Sequence, residues 1–245
     1  MATGDDRNEL RPGWYVRLEG ERVDLNDWVR SLNEPFDPVA FEEADGTVLL
    51  TSKELDGAAD AGEARERGLA LVGRVNGAMA LMHSADPVRL GSIMRADAQG
   101  RRHFLVFAEA LNIRLGRTTI SATAQALGPD GKPLPPPPPQ PSAAQLWNEV
   151  AGQDDDVADL MEQLGKARGW YEIYKTIELA EVVVGGKHKL ERLLGSSRAE
   201  CMNMRQTANY YRHARARKPD DLTRLDEAGP LLNYMVRVAL ENRRP

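Results

Sequence analysis

Apolar and polar positions set two periods along the chain, and the period changes at a proline run. "WYVRLEG" (14–20) alternates with the two-residue period of a strand. In "DLNDWVRSLN" (24–33), Leu25, Trp28, Val29 and Leu32 fall at helical spacing, with Asp24 expected as the capping residue. "VAFEEADGTVLLTS" (39–52) predicts a hairpin about Asp45-Gly46. From Asp60 to about Met82 the apolar positions Ala64, Leu71, Val75, Ala78 and Met82 are spaced for one long helix. Gly68, Gly73 and Gly77 weaken that helix by roughly 1 kcal/mol each relative to alanine, so packing must hold it. "PVRLGSIMRA", "RRHFLVFAEAL" and "RTTISATAQAL" predict three further strands. Residues 1–127 are therefore expected to form an α+β domain with an antiparallel sheet.

"GPDGKPLPPPPPQPS" (128–142) interrupts both periods. Pro135 to Pro139 donate no backbone hydrogen bonds and favour an extended polyproline II rod. That marks a semi-rigid linker, and a docking site for a proline-recognition domain is the functional alternative.

Beyond it, residues 143–245 read as an all-α bundle of five or six helices. "SAAQLWNEVAG" has Ser142 as N-cap and Gly152 as stop, and "DDDVADLMEQLG" opens with acids suited to a helix N-terminus. "GWYEIYKTIELAEVVVGG" places Trp170, Ile173, Ile177, Ala180 and Val184 on one face and stops at paired glycines. A last helix is expected to start near Pro230, with Leu231, Tyr234, Met235 and Val238 inward.

Composition changes this picture little. Hydrophobic residues make up 42% and charged residues 28% of the 245, as in an ordinary folded chain. The single cysteine, Cys201, excludes an intramolecular disulfide and a zinc site made of thiolates alone. No segment approaches a bilayer span, and the first residues lack the features of a signal peptide, so the expectation is a cytoplasmic protein with no membrane partner. No cofactor or metal site is expected: His83, His103 and His188 stand apart from other ligands in sequence. A net charge of −5 gives no global attraction to nucleic acid, yet Lys187 to Lys218 carries a local net of +7.

That basic block contains "MRQTANYYRHARARK" (204–218). If residues 198 to about 216 are one helix, Arg198, Arg205 and Arg212 form a stripe two turns apart, with Asn209 and His213 beside it. Cys201, Met204, Ala208 and Tyr211 would form the packing stripe. Guanidinium groups bind phosphate by paired hydrogen bonds, and imidazole moves a proton at neutral pH. RNA cleavage by its own 2′-hydroxyl would need such groups, with His213 transferring the proton, Arg212 and Arg205 on phosphate and Asn209 orienting. Arg198, Tyr210, Arg215, Arg217 and Lys218 would add phosphate and base contacts, and Glu178 would support the cluster from the preceding aromatic helix. A run of arginines on a helix is more usually a solvated face, and a structural polar network between helices is the further alternative.

"WYEIYKTIELAEVVVGG" followed by "NMRQTANYYRHARA" resembles a group of small bacterial proteins with a W-Y-x-x-Y-K-x-x-E helix and an R-H-A segment. The layout over roughly residues 144–243 is similar to the HEPN superfamily of helical bundles, which includes ribonuclease toxins, antiviral effectors and non-catalytic binding domains. The resemblance implies RNA or a nucleotide as partner, a role in defence against phage or mobile elements, and a site completed across a homodimer. Catalytic members carry an Arg with His four to six residues on. Here seven residues separate Arg205 from His213 and Arg212 abuts it, so metal-independent ribonuclease chemistry would rest on Arg212 and His213. The alternative is a non-catalytic interaction or scaffold protein.

Overall fold

A computed structural model describes residues 10–83, 85–99, 101–106, 138–213 and 218–243. The expected strand at "RTTISATAQAL" and most of the proline run lie outside these residues, as do Arg215 and Arg217. The fold is α+β, with one five-stranded antiparallel sheet among the described residues.

The sheet runs in the order β2-β3-β1-β4-β5. Its strands are β1 (Gly13–Glu19), β2 (Val39–Glu42), β3 (Val48–Thr51), β4 (Arg89–Ala96) and β5 (Arg102–Val106). The hairpin of β2 and β3 pairs Glu42 with Val48, and Gly46 takes a positive φ of 84° at its turn. Alternation along β1 sends Val16 and Leu18 into the main core, while Tyr15 joins Leu49, Met94 and Ala96 in a small cluster of its own.

The first helix, α1 (Arg22–Ser31), begins two residues before Asp24. Asp24 is therefore not its cap. It is buried in the first turn, where its Oδ1 accepts from the Asp86 amide at 3.2 Å. A short turn, α2 (Lys53–Asp56), is capped by Ser52. It precedes α3 (Ala61–His83), the longest of the described helices. On α3, a Cβ placed at Gly68 would come within 2.9 Å of Val16 Cγ2, so this glycine lets the helix lie close on the sheet.

After the proline run come α4 (Ala143–Ala151), α5 (Asp155–Lys166), α6 (Trp170–Val184), α7 (Lys187–Leu193), α8 (Arg198–Arg212) and α9 (Leu225–Glu241). Ser142 caps α4 in a reciprocal box with Gln145, and Asp154 accepts from the amides of Asp156 and Val157 at the start of α5. Helix α6 ends at Gly185 in the left-handed conformation, φ 85°.

Two expectations shift. Helix α9 starts at Leu225, five residues before Pro230, where the Glu227 carboxylate accepts from the Arg224 amide at 3.2 Å. Its inward face is Ala228, Leu232, Met235, Val236, Ala239 and Leu240, while Tyr234 is exposed.

One apolar cluster takes in β1, α1 and α3 together with α4, α5, α6, α8 and α9. Helices α3 and α5 meet backbone to backbone. A Cβ at Gly77 would stand 2.1 Å from the Met161 carbonyl oxygen, and one at Gly165 would stand 2.6 Å from that of Gly73. The glycines that weaken α3 as an isolated helix are the positions at which it packs. Polar side chains cross between the same segments. Arg74, 8% exposed, bonds Glu54 of α2 and Asn148 of α4. Gln145 Nε2 lies 2.9, 3.2 and 3.0 Å from the carbonyls of Asn33, Phe36 and Pro38. From α9, Asn233 and Arg237 donate to the carbonyls of Ala80 and Leu81 at the end of α3.

Candidate functional site

Helices α6 and α8 bring the basic stripe against the aromatic helix. Ile173, Thr176, Ile177, Ala180, Val183 and Val184 bury one side of α6, and Cys201, Met204, Thr207 and Ala208 bury one side of α8. The longer side chains at the margin of this contact meet each other. Arg205 Nε donates to Glu181 Oε1 at 2.9 Å, and its Nη2 lies 3.4 Å from Oε2. Arg212 Nη1 donates to Glu178 Oε1 at 3.1 Å. Arg198 Nη2 donates to Glu191 Oε2 of α7 at 2.7 Å. Each arginine of the stripe thus has a carboxylate partner. Glu178, expected to support the cluster, forms an ion pair with Arg212, whereas Glu181 was not singled out. Its position, one turn after Glu178 on α6, was the available signal.

Both guanidinium groups lie over the Tyr174 ring. Arg212 Cζ is 4.4 Å and Arg205 Cζ 5.8 Å from its ring centroid, both within cation–π range. Arg212 also lies 5.9 Å from the Tyr171 centroid. The side chains of Arg205 and Glu181 are 20% and 15% exposed, and that of Arg212 is 21% exposed, so these charges are partly withdrawn from water.

His213 does not continue the stripe. Helix α8 stops at Arg212, and His213 turns extended at φ −118° and ψ 113°, its amide donating to the Asn209 carbonyl at 3.1 Å. The spacing that would bring Asn209 and His213 onto one helical face therefore fails at its last residue. The His213 ring instead packs edge-on to Tyr174, with centroids 6.3 Å apart, and the residue is exposed. Asn209 and Tyr210 are half-buried, and Lys218 is exposed five residues beyond His213.

Tyr211 also departs from expectation. It is 55% exposed and stacks on Trp170 at 5.5 Å with an interplanar angle of 11°. Tyr210 meets the edge of Tyr211 at 5.2 Å. Tyr171 on α6 is 56% exposed. The stacked Trp170 and Tyr211, with Tyr171 next to Trp170 on α6 and within 5.9 Å of Arg212, are called the aromatic ledge beside the Arg212–Glu178 pair.

The remaining titratable candidates are held by local structure. The Arg198 guanidinium hydrogen-bonded to Glu191 lowers that carboxyl below its usual range. Burial pushes the Cys201 thiol up to about 11, which leaves it protonated and unreactive at neutral pH. His103 lies 3.4 Å from Asp97, His188 lies 3.9 Å from Glu191 and His83 lies 3.4 Å from Ser31. Among the described residues there is no group of three or more His, Cys, Asp or Glu arranged to hold a metal ion. No described helix is long and apolar enough to cross a membrane. Comparisons with protein-family models, with curated proteins and with solved structures find no match for the chain.

Proposed function

We propose that the chain is a non-catalytic interaction protein in which the Arg–Glu–Tyr network is a clasp between α6 and α8 that holds the aromatic ledge in place. The observation that carries this reading is the pairing of Arg205 with Glu181 and of Arg212 with Glu178, both guanidinium groups resting on Tyr174. Cations meant to neutralise developing phosphate charge would be spent on these carboxylates. A pair of this kind sets the register of two helices without any reaction.

A second reading keeps RNA or a nucleotide as partner of a HEPN-like bundle. It draws on the exposed His213, on Arg212 next to it and on the ledge, since aromatic faces stack on bases. Purified protein and a His213→Ala, Arg212→Ala variant incubated with total RNA separate the two. The clasp reading expects no cleavage by either. Cleavage by wild type that the variant loses would refute it. Removal of Arg205 should lower the unfolding free energy by about 1–3 kcal/mol, because Glu181 is left without its partner.

A further inference from the structure

We propose that the ledge of Trp170, Tyr171 and Tyr211 binds a polyproline II segment, and that its occupant is the proline run of a second copy of this chain. The proposal rests on the reading of the protein as a non-catalytic interaction protein and names its partner.

The ledge presents ring area that the fold leaves open. Tyr171 and Tyr211 are each more than half exposed, although both are large enough to bury in a core of this size. Trp170 is fixed beneath Tyr211 by stacking, and Arg212 lies near the Tyr171 ring, so the exposed rings are held by their neighbours. Rigid aromatic surface of this sort binds at low entropic cost.

Charge then selects among ligands. Among the described residues, the cations paired beside the ledge are already engaged: Arg212 and Lys175 both contact Glu178, and Arg205 contacts Glu181. An anionic ligand would have to displace those carboxylates or lie beside them. A neutral ligand that packs on ring faces meets no such opposition.

The chain supplies a ligand of that chemistry. Between Pro133 and Pro141 seven of nine residues are proline, the other two are Leu134 and Gln140, and none is charged. A polyproline II helix has no internal hydrogen bonds to break, is ordered before binding, and is recognised by aromatic-lined surfaces through proline rings laid on aromatic faces. Its C-terminal end is anchored where Ser142 caps α4, and α4 packs against α1, α3 and α5. The ledge rises from α6 and α8. The occupant is assigned to a neighbouring copy, and reciprocal exchange between two copies would close a two-fold dimer.

The test uses the full chain and a synthetic peptide of residues 131–142. Sedimentation velocity should show self-association that rises with protein concentration and is reversed by excess peptide, which requires no variant. A Tyr171→Ala, Tyr211→Ala variant should remain monomeric and bind the peptide at least roughly tenfold more weakly, as expected for loss of two anchoring rings. A chain with Pro135 to Pro139 changed to serine should also remain monomeric, yet bind the peptide as wild type does. Thermal unfolding of both variants checks that they are folded.

Failure of wild type to bind the peptide overturns the proposal, as does equal binding by the tyrosine variant. A wild-type chain that stays monomeric at all concentrations overturns the assignment to a second copy. Saturable binding of a uridine decamer at the ledge in place of the peptide also overturns it. RNA cleavage that depends on Arg212 and His213 would bring down the underlying interaction reading. Absence of peptide binding with an intact Arg205–Glu181 coupling would remove this proposal alone.

Discussion

Between α3 and α5 the backbones themselves meet, Gly77 against the Met161 carbonyl and Gly165 against that of Gly73. Helices α6 and α8 are joined at their margin by Arg205, Glu181, Arg212 and Glu178, with both guanidinium groups over the Tyr174 ring. The first contact is specified by shape and excludes any added atom. The second is specified by charge and tolerates changes of shape as long as the carboxylates find a cation. One molecule thus carries a contact that salt barely touches beside one that salt reaches.

Substitution at the glycine contact should have the largest effect. Gly77→Ala drives a methyl into a backbone oxygen that cannot rotate away, and should cost about 3 kcal/mol or more in chemical denaturation. Gly165→Ala should follow at a smaller cost, since its clearance of 2.6 Å is wider than the 2.1 Å at Gly77. A fully stable Gly77→Ala protein would break the comparison.

At the charged contact, Arg205→Ala should cost about 1–3 kcal/mol, and a double-mutant cycle with Glu181→Ala should return a clear coupling. The corresponding cycle for Arg212 and Glu178 should return about 0.5 kcal/mol, because Glu178 is more open to solvent and exposed pairs are weak. Both couplings should shrink in high salt, whereas the penalty at Gly77 should not.

Acid should reach the same region through Glu191. Arg198 lowers its carboxyl in the folded chain, so the stabilisation is present above the usual glutamate range and is lost as pH falls through the lowered value. Glu191→Gln should flatten that part of the stability profile, read as unfolding midpoint against pH. The smallest signal is chemical. The Cys201 thiol, on the buried face of α8 and pushed up to about 11, should react slowly with iodoacetamide at pH 8. It should react faster in Arg205→Ala if the clasp holds α8 in place.

Where a feature depended on neighbours along the chain, it was legible. The Asp45-Gly46 hairpin, the cap at Ser142, the acidic start of α5 and the apolar face of α6 all follow from residues within a few positions of each other. Helix ends were harder to place. Pro230 marks a favoured first position, but the helix starts earlier, with Glu227 accepting from the Arg224 amide, and then carries the proline inside it. His213 was grouped with Asn209 on the premise that α8 continued, and the chain turns extended at that residue.

Long-range partners were not legible. Gly73 and Gly77 signalled that α3 needs a neighbour, yet nothing local says that the neighbour is α5. The basic stripe likewise declared its own spacing, and of its three carboxylate partners only Glu178 was named from the sequence. The proline run divides the sequence into segments of different pattern, while the apolar cluster extends over both.

The two donors that α9 sends to the end of α3 bear on how the chain is made. Ala80 and Leu81 receive Asn233 and Arg237 from more than 150 residues downstream, at separations of 153 and 156 positions. During synthesis α3 leaves the ribosome long before the helix that completes its terminus. Its glycine-weakened turns wait for α5 and its last turn for α9, a high-contact-order arrangement that folds slowly and invites aggregation. Chaperone dependence should therefore persist in nascent chains until residues 225–241 have emerged.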